Sequence, residues 1–347
     1  MEIVVGLSLR NLKPRVWDPA STYYLKAVRA IMVSYAEFDH FRARRQKAME
    51  QGLRAYLGAP DGVKVYLDNG SFSFHRKGTD VPQDEYGAFV EAACPDWYPT
   101  PQDYIPAPSM VDDEQRACLE QTMAVNLSYV RDGFVPVMHV CRLLDEYLQH
   151  FQGNEQLRDK PRIAIGGIVP NLLRARRAMS YTEVLDNLGQ VRASFSDKHL
   201  HLFGLGGTAT LHLAALLGID SVDSSGWRNR AARGIVQLPG RGDRMVADLG
   251  SWRGREPDEG ELQVLMDCMC PACQQHGLDG LKADKLAGFC NRATHNLWVL
   301  LDEARQIEEH IQSGTYREWY TGHVENSVYK PLIDYAIQIR HLSDSRS

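Results

Sequence analysis

The sequence predicts an α/β fold: a (β/α)8 TIM barrel formed by residues 1–347 as a single domain, with an appended subdomain at about residues 260–315. Two observations support this prediction. Short apolar runs alternate at least six times with amphipathic helical stretches, which is typical of βαβ units and a parallel sheet. The length also suits a barrel with an appendage. A doubly wound open sheet is the alternative, but its glycine-rich loop is missing after the first strand, where L-S-L-R-N-L-K-P-R follows.

The elements follow in a regular order along the chain. After a first strand near the N-terminus, apolar runs that predict strands lie at residues 63–72, 103–113, 133–140, 161–170, 199–207 and 219–227. Beyond about residue 235 the sequence becomes loop-like and hairpin-like. A long helix is then predicted from Arg292 to about Gly314, because apolar residues recur there at spacings of three and four.

Composition limits the function classes. The net charge is −5, so any nucleic-acid site must be a local basic patch, and solvated helix faces are the alternative explanation for such patches. Basic residues cluster at 42–47, at 174–177 and at Arg228, Arg230 and Arg233. The sequence contains no apolar stretch of the roughly 20 residues that a membrane span needs, and no signal peptide is recognised. We therefore expect a soluble, cytoplasmic protein.

Three of the seven cysteines lie within six residues, at Cys268, Cys270 and Cys273. Such crowding favours metal binding in a reducing compartment over a disulfide framework. With His295 these thiolates make a closed tetrahedral set, as expected of a structural Zn²⁺ ion. His276 is an alternative fourth ligand. Because four protein ligands leave no open position, the predicted site stabilises the fold and performs no chemistry.

Polar side chains stand at the ends of four predicted strands and two glycines at the end of a fifth, where a parallel barrel carries its chemistry. Helix capping is the alternative role for each carboxylate taken alone. Three carboxylates at one barrel mouth, however, favour glycosidic-bond chemistry, in which one group attacks the anomeric carbon and another handles the proton. The residues are Asp68, Asp112 and Asp223, with His139 ending a fourth strand and Gly166 and Gly167 ending a fifth.

The chain resembles the tRNA-guanine transglycosylase superfamily from about residue 60 to about residue 300. Y-L-D-N-G-S-F resembles the family's D-S-G-G-F/Y turn, and I-A-I-G-G and H-L-F-G-L-G-G resemble two further strand ends. G-I-D-S-V-D followed by an arginine-rich loop resembles the family's nucleophile segment. C-x-C-x2-C with a later H-N-L resembles its zinc set. The zinc set in this order after G-I-D-x-x-D is highly specific.

The resemblance implies a role for each matching residue. Asp223 would attack C1′ of a guanosine and form a covalent glycosyl-enzyme, while Asp68 would act as the general acid and base. The base would be bound by Phe72 through stacking, by Asp112 at the exocyclic amine, and by the backbone of Gly166 and Gly167. Cys268, Cys270, Cys273 and His295 would hold Zn²⁺. Family members often form homodimers near the zinc region, so we expect a homodimer here.

Departures from the tRNA-acting members point to the superfamily's DNA-modifying paralogues of phages and bacterial modification clusters. Asn69 and Ser71 change the first motif, Ser224 replaces a cysteine, and His139 stands where a glutamine is expected. We therefore expect a DNA guanine transglycosylase that exchanges guanine for a 7-deazaguanine such as preQ0. A tRNA-guanine transglycosylase, a non-catalytic partner subunit and a nucleoside hydrolase are the alternatives.

Nucleic-acid binding follows from the same interpretation. A target base must leave the stack before a carboxylate can reach its C1′. The basic loop Arg228–Arg233 comes directly after the nucleophile, so we expect Arg228, Arg230 and Arg233 to hold the flanking phosphates.

Overall fold

A computed structural model describes residues 1–129, 131, 133–172, 175–250, 254–324 and 327–344. Within these residues, parallel strands form one seven-stranded sheet in the order β3-β2-β1-β7-β6-β5-β4. The strands are β1 (Glu2–Gly6), β2 (Ala30–Ser34), β3 (Lys64–Asp68), β4 (Val137–His139), β5 (Arg162–Gly166), β6 (His199–Leu202) and β7 (Ser221–Ser224). The predicted α/β class with a parallel sheet is confirmed.

A short extended segment, residues 96–100, occupies the gap between the two edge strands. On one side its backbone exchanges hydrogen bonds with β3, from the Leu67 amide to the Trp97 carbonyl and from the Asp96 amide to the Val65 carbonyl. On the other side it exchanges two bonds with Val135, just before β4. The segment therefore takes the eighth position and closes the sheet into a barrel.

The prediction of a strand at 103–113 is wrong, and β2 was not predicted. Residues 103–111 form a loop, and the extended segment that belongs to this position ends at Thr100. Prolines at 99, 101, 106 and 108 explain the difference, because proline has no amide hydrogen to donate to a ladder. The shift matters for function, since it changes which carboxylate lies at the barrel mouth.

Helices surround the barrel. They are α1 (Tyr35–Asp39), α2 (Arg42–Gln51), α3 (Leu53–Leu57), α4 (Ser71–His75), α5 (Gln83–Ala93), α6 (Asp112–Ser128), α7 (Leu144–Gly153), α8 (Glu155–Arg158), α9 (Ile168–Leu172), α10 (Tyr181–Ser194), α11 (Thr208–Leu216), α12 (Gly226–Ala232), α13 (Glu259–Met266), α14 (Pro271–Lys282), α15 (Lys285–Gln312), α16 (Tyr316–His323) and α17 (Lys330–Asp344). No described helix is long and apolar enough to cross a membrane.

Alternate residues of each strand face opposite layers, as the pleat of a strand requires. Inward-facing side chains such as Val4, Met32 and Tyr66 fill the barrel with Trp97. Outward-facing ones such as Val5 and Ile31 pack against the surrounding helices. The barrel interior is a solid core, so ligands are confined to its ends.

After the barrel strands, β8 (Ile235–Leu238) and β9 (Gly242–Met245) form an antiparallel hairpin, in agreement with the hairpin-like sequence there. The long helix α15 begins at Lys285, earlier than predicted, so His295 lies well inside it and not at its start. The extra turns carry buried Gly288 and Asn291. These small and polar residues obscure the apolar spacing from which the helix was predicted.

A buried polar cluster ties α15 to its neighbours. One oxygen of Glu303 lies 2.8 Å from Nε2 of His212 on α11 and 2.7 Å from Nε2 of His323 on α16. The hydroxyl of Tyr316 lies 2.6 Å from the other nitrogen of His212. Burial alone would raise the pKa of Glu303, but the two histidines outweigh it and lower the pKa to about 2. The ionised, buried carboxylate of Glu303 therefore links α15 to α11 and to α16.

Candidate active site

A cavity of about 630 Å³ opens at the carboxyl ends of the barrel strands. Such ends meet at one rim, which is where barrel enzymes place their chemistry. Six of the residues predicted from the sequence line this cavity: Asp68, Phe72, His139, Gly166, Gly167 and Asp223. The cavity walls are otherwise mostly apolar.

Asp68 is the last residue of β3 and turns into the cavity. Its carboxylate accepts a hydrogen bond of 3.1 Å from the amide of Gly70. That glycine has φ of 80°, and a Cβ there would lie 2.6 Å from the Cβ of Ala36, so the turn requires glycine. Burial raises the pKa of Asp68 to about 7, and the charges of Asp223 and Asp103 add to the rise. Asp68 can therefore hold and release a proton near neutral pH.

Asp223 lies near the end of β7, beside β1 and β6. Its Oδ1 atom accepts a hydrogen bond of 2.7 Å from the amide of Gly204, which follows β6. The carboxyl group is mostly buried, with 18% of the side chain exposed. A carboxylate held by a backbone amide at a strand end is well placed for nucleophilic attack on a bound ligand.

Asp112 does not reach the cavity and needs a correction. It begins α6, its side chain is 72% exposed, and it pairs with Arg142. Asp103 lines the cavity instead, in the loop directly after the eighth extended segment. The error follows from the wrong strand at 103–113, which shifted the expected strand end along the chain.

Asp103 belongs to a buried network that sequence reasoning missed. The side-chain amide of Asn69 donates 2.8 Å to Oδ1 of Asp103 and 2.9 Å to the Thr100 carbonyl. Nε2 of His139 lies 3.2 Å from Oδ2. Burial raises the pKa of Asp103, but His139, Asn69 and Ser71 outweigh it and hold the pKa below its usual value. Asp103 is therefore ionised where Asp68 is protonated.

The other predicted base contacts lie on the cavity wall. Phe72 exposes 58% of its surface, which suits a stacking platform. Gly166 and Gly167 pack so closely on β4 that a Cβ would lie 2.7 Å from Nδ1 of His139 or 2.8 Å from the Val140 carbonyl. Only glycine fits at these positions, and it leaves bare backbone facing the cavity.

The predicted phosphate-binding arginines separate in the structure. Arg228 is buried and donates to the carbonyls of Asn11 and Lys13, so it braces the N-terminal loop. Its predicted phosphate contact is therefore wrong, because the guanidinium is already occupied inside the fold. Arg233 is exposed. Of the basic cluster at 174–177, Arg174 lies outside the described residues.

Arg230 lines a second cavity of about 610 Å³, which adjoins the first at Val169, Gly204 and Ser225. Its Nε atom pairs with Asp243 at 2.8 Å, and its Nη1 atom reaches the Gly206 carbonyl at 3.3 Å. Arg241 lies on the same wall, on the turn between β8 and β9. The second cavity thus continues the first one near Asp223, and two arginines line its wall.

The four predicted metal ligands come together beside β8. The sulfurs of Cys268, Cys270 and Cys273 lie 3.3, 4.0 and 3.4 Å from Nδ1 of His295. Tetrahedral bonds of about 2.3 Å to sulfur and about 2.0 Å to nitrogen would separate such atoms by roughly 3.5 Å. Nε2 of His295 lies 2.9 Å from the Gln237 carbonyl, so its hydrogen fixes the ring. The donor set fits Zn²⁺.

Comparison with known proteins identifies the family of this chain. Residues 109–328, more than half of the chain, match the family described as queuine tRNA-ribosyltransferase. The chain belongs to this family. It is 27% identical over 312 residues to tRNA-guanine(15) transglycosylase from Pyrococcus abyssi (strain GE5 / Orsay), covering 85% of this chain and 48% of that protein.

Other archaeal relatives carry the same description. The tRNA-guanine(15) transglycosylase of Haloarcula marismortui is 26% identical over 310 residues, covering 85% of this chain and 58% of that protein. The one from Methanopyrus kandleri is 27% identical over 279 residues, covering 78% and 55%. The chain spans about half the length of the curated relatives it matches. The predicted membership of the superfamily is confirmed, while closeness to its DNA-modifying members finds no support.

Replacing Asp68 should change how stability depends on pH. Between about pH 4 and 7 the folded protein keeps a proton that the unfolded chain has released, so the unfolding free energy falls as pH rises through this window. In the wild-type protein this decrease in unfolding free energy should be on the order of 3 kcal/mol, and in Asp68→Asn it should be absent. Urea unfolding at several pH values measures it. Exposed Asp113→Asn is the control. A slope unchanged by Asp68→Asn would contradict the raised pKa.

Replacing Cys270 with serine should remove the metal and loosen the fold. Zinc content should fall from about one per chain to well below that, and the melting temperature should drop by about 10 °C or more. Elemental analysis and thermal unfolding measure both. Cys94→Ser, at an exposed cysteine, should change neither. Unchanged zinc content in Cys270→Ser would mean that the ligand set is wrong.

Proposed function

We propose that this chain is a guanine transglycosylase, which exchanges guanine in a nucleic acid for another base at the N-glycosidic bond. The observation that carries the proposal is the convergence of Asp68, Asp103 and Asp223 on one cavity at the barrel mouth. Their environments push protonation in opposite directions, since Asp68 has a raised pKa and Asp103 a lowered one. Such a split assigns acid and base roles within one site.

In the proposed reaction, a carboxylate oxygen of Asp223 attacks C1′ as the bond from C1′ to N9 of guanine breaks. Asp68 gives its proton to the departing guanine, and a glycosyl ester on Asp223 remains. The incoming base then loses a proton to Asp68 and attacks C1′, which releases Asp223 as a carboxylate. Zn²⁺, when bound, supplies structural support to β8 and α15 and takes no part in these steps.

The network around Asp103 supports recognition of a guanine-like base. A carboxylate has about four acceptor positions. Asn69, His139 and Ser71 contact this carboxylate, so about one position remains for an N–H group of a guanine edge. We therefore assign to Asp103 the exocyclic-amine contact that the sequence suggested for Asp112. Phe72 would cover the base, and Gly166 and Gly167 would contact it through their backbone.

We infer tRNA as the nucleic acid, in place of the DNA expected from the motif departures. The support is that the archaeal relatives are tRNA-guanine(15) transglycosylases. The second cavity, with Arg230 and Arg241, would hold phosphates beside the target nucleotide. The expected homodimer and cytoplasmic location stay predictions.

Expression in a host that makes preQ0, followed by separate nucleoside mass spectrometry of tRNA and DNA, tests the substrate and the reaction together. The expected result is a 7-deazaguanine nucleoside in tRNA, which Asp223→Ala abolishes together with any covalent protein–RNA adduct. The variant should keep the wild-type melting temperature within a few degrees. Modification of DNA alone would restore the DNA hypothesis. Appreciable exchange by Asp223→Ala would reject the nucleophile.

A matched pair of carboxylates tests base recognition. Asp103→Asn should raise KM for incoming guanine by about 10-fold or more, because hydrogen bonds to a charged group are worth about 1.5–3 kcal/mol. Asp112→Asn should leave KM within about 2-fold, since that side chain faces solvent beside Arg142. Steady-state exchange of labelled guanine measures both. The reverse ranking would return the base contact to Asp112.

A further inference from the structure

A line of polar side chains runs through the barrel interior behind Asp223. Oγ of Ser221 lies 2.9 Å from Nε2 of His199 and 2.9 Å from Nδ1 of His201. Nε2 of His201, on the far side of the ring, lies 3.7 Å from Oδ1 of Asp223. The line follows from strand geometry: His201 pairs in register with Ser221, and residues two apart on one strand share a face.

The hydroxyl of Ser221 limits how hydrogens are placed along this line. It donates one hydrogen only and can accept two, so the two histidines cannot both accept from it and at least one must donate to it. If His201 donated through Nδ1, the lone pair of its Nε2 would face the carboxylate of Asp223. If His201 accepts at Nδ1, a neutral ring carries its hydrogen on Nε2, and an N–H faces the carboxylate instead.

Electrostatics selects the second arrangement. His201 is 1% exposed, and its Nε2 has no hydrogen-bond partner among the described residues. The rings of Trp97 and Phe203 each lie 5.0 Å away, so little water screens the interaction with Asp223. A buried N–H beside a carboxylate is attractive, whereas two facing acceptors repel. His199 completes the chain by donating to Ser221, and burial lowers its pKa, so it is neutral.

We propose that His201 is a positioning residue for the nucleophile: Ser221 fixes its Nε2–H tautomer, and this N–H holds Oδ1 of Asp223 so that Oδ2 attacks C1′. The inference rests on the proposed function. Among the described residues, the contacts to this carboxylate from Gly204 and from His201 are both to Oδ1. The separation of 3.7 Å exceeds a hydrogen bond, and such contacts often tighten when substrate binds.

The N–H of His201 also adds to the difference between the two carboxyl groups, on top of the burial of Asp68. Asp68 and Asp223 share a cavity, and two close carboxylates disfavour ionisation of both. A donor aimed at Asp223 stabilises its ionised form and leaves the proton on Asp68. The nucleophile and the acid are thereby distinguished before substrate arrives.

Kinetics of four variants test the role. His201→Phe keeps a ring against Trp97 but loses the donor, so kcat for guanine exchange should fall about 10-fold with KM for tRNA and guanine within about 2-fold. His201→Gln restores an N–H near the same place and should recover part of kcat. Ser221→Ala removes the hydroxyl that fixes the tautomer of His201, so it should lower kcat more than His199→Phe does. Exposed His150→Phe is the control.

The tautomer itself is measured without substrate, by nitrogen-15 NMR of histidine-labelled protein, with His201→Phe assigning the signal. Hydrogen on Nε2 is the expected result, and hydrogen on Nδ1 alone would overturn the proposal whatever the activity. Full kcat in His201→Phe, or a change in KM alone, would also overturn it. If the wild-type protein exchanges no guanine in tRNA or DNA, the proposed function fails, while the tautomer still decides the arrangement around Asp223.

Discussion

Repulsion between carboxyl groups is the constraint that the rest of the site must satisfy. Asp68, Asp103 and Asp223 share one largely apolar cavity, where ionising all three together would be costly. The fold resolves the conflict by giving the three groups different partners. Asp103 has Asn69 and His139, Asp223 has the Gly204 amide, and Asp68 has weaker support and a pKa of about 7. The three carboxyl groups therefore differ in protonation because they differ in burial and in hydrogen-bond partners.

The cluster of predicted metal ligands is linked to the candidate active site by hydrogen bonds from α15 side chains to backbone groups. His295 faces the three thiolates with one nitrogen and the Gln237 carbonyl of β8 with the other. The next residue, Asn296, bonds to the Gln237 amide and to the carbonyls of Ile235 and Trp227. Since Trp227 lies on α12, four residues after Asp223, α15 holds the element that directly follows the nucleophile. An ion held by this cluster would therefore affect a site that it does not touch.

Sequence reasoning found the parts of the site that follow regular strands. Asp68, Gly166 and Asp223 end runs of buried residues, and these runs are β3, β5 and β7. It failed where proline interrupts the pattern, because residues 96–100 pair through a few backbone bonds only and carry no alternating signal. For that reason Asp103 was not predicted as a site residue. Arg228 was misjudged because sequence shows a charge but not the carbonyls of Asn11 and Lys13 that bind it.

Three of the residues that depart from the family's usual motifs, Asn69, Ser71 and His139, lie together around Asp103. Asn69 and His139 come from different strands, yet both contact Asp103, and the backbone at Gly166 packs against the ring of His139. A change at one of them alters the donors available to the same carboxylate, whereas Ser224, a further departure, lies on β7 and lines the second cavity. Because the proposed role of the residues around Asp103 is to bind the base, they carry no information on whether the sugar is ribose or deoxyribose.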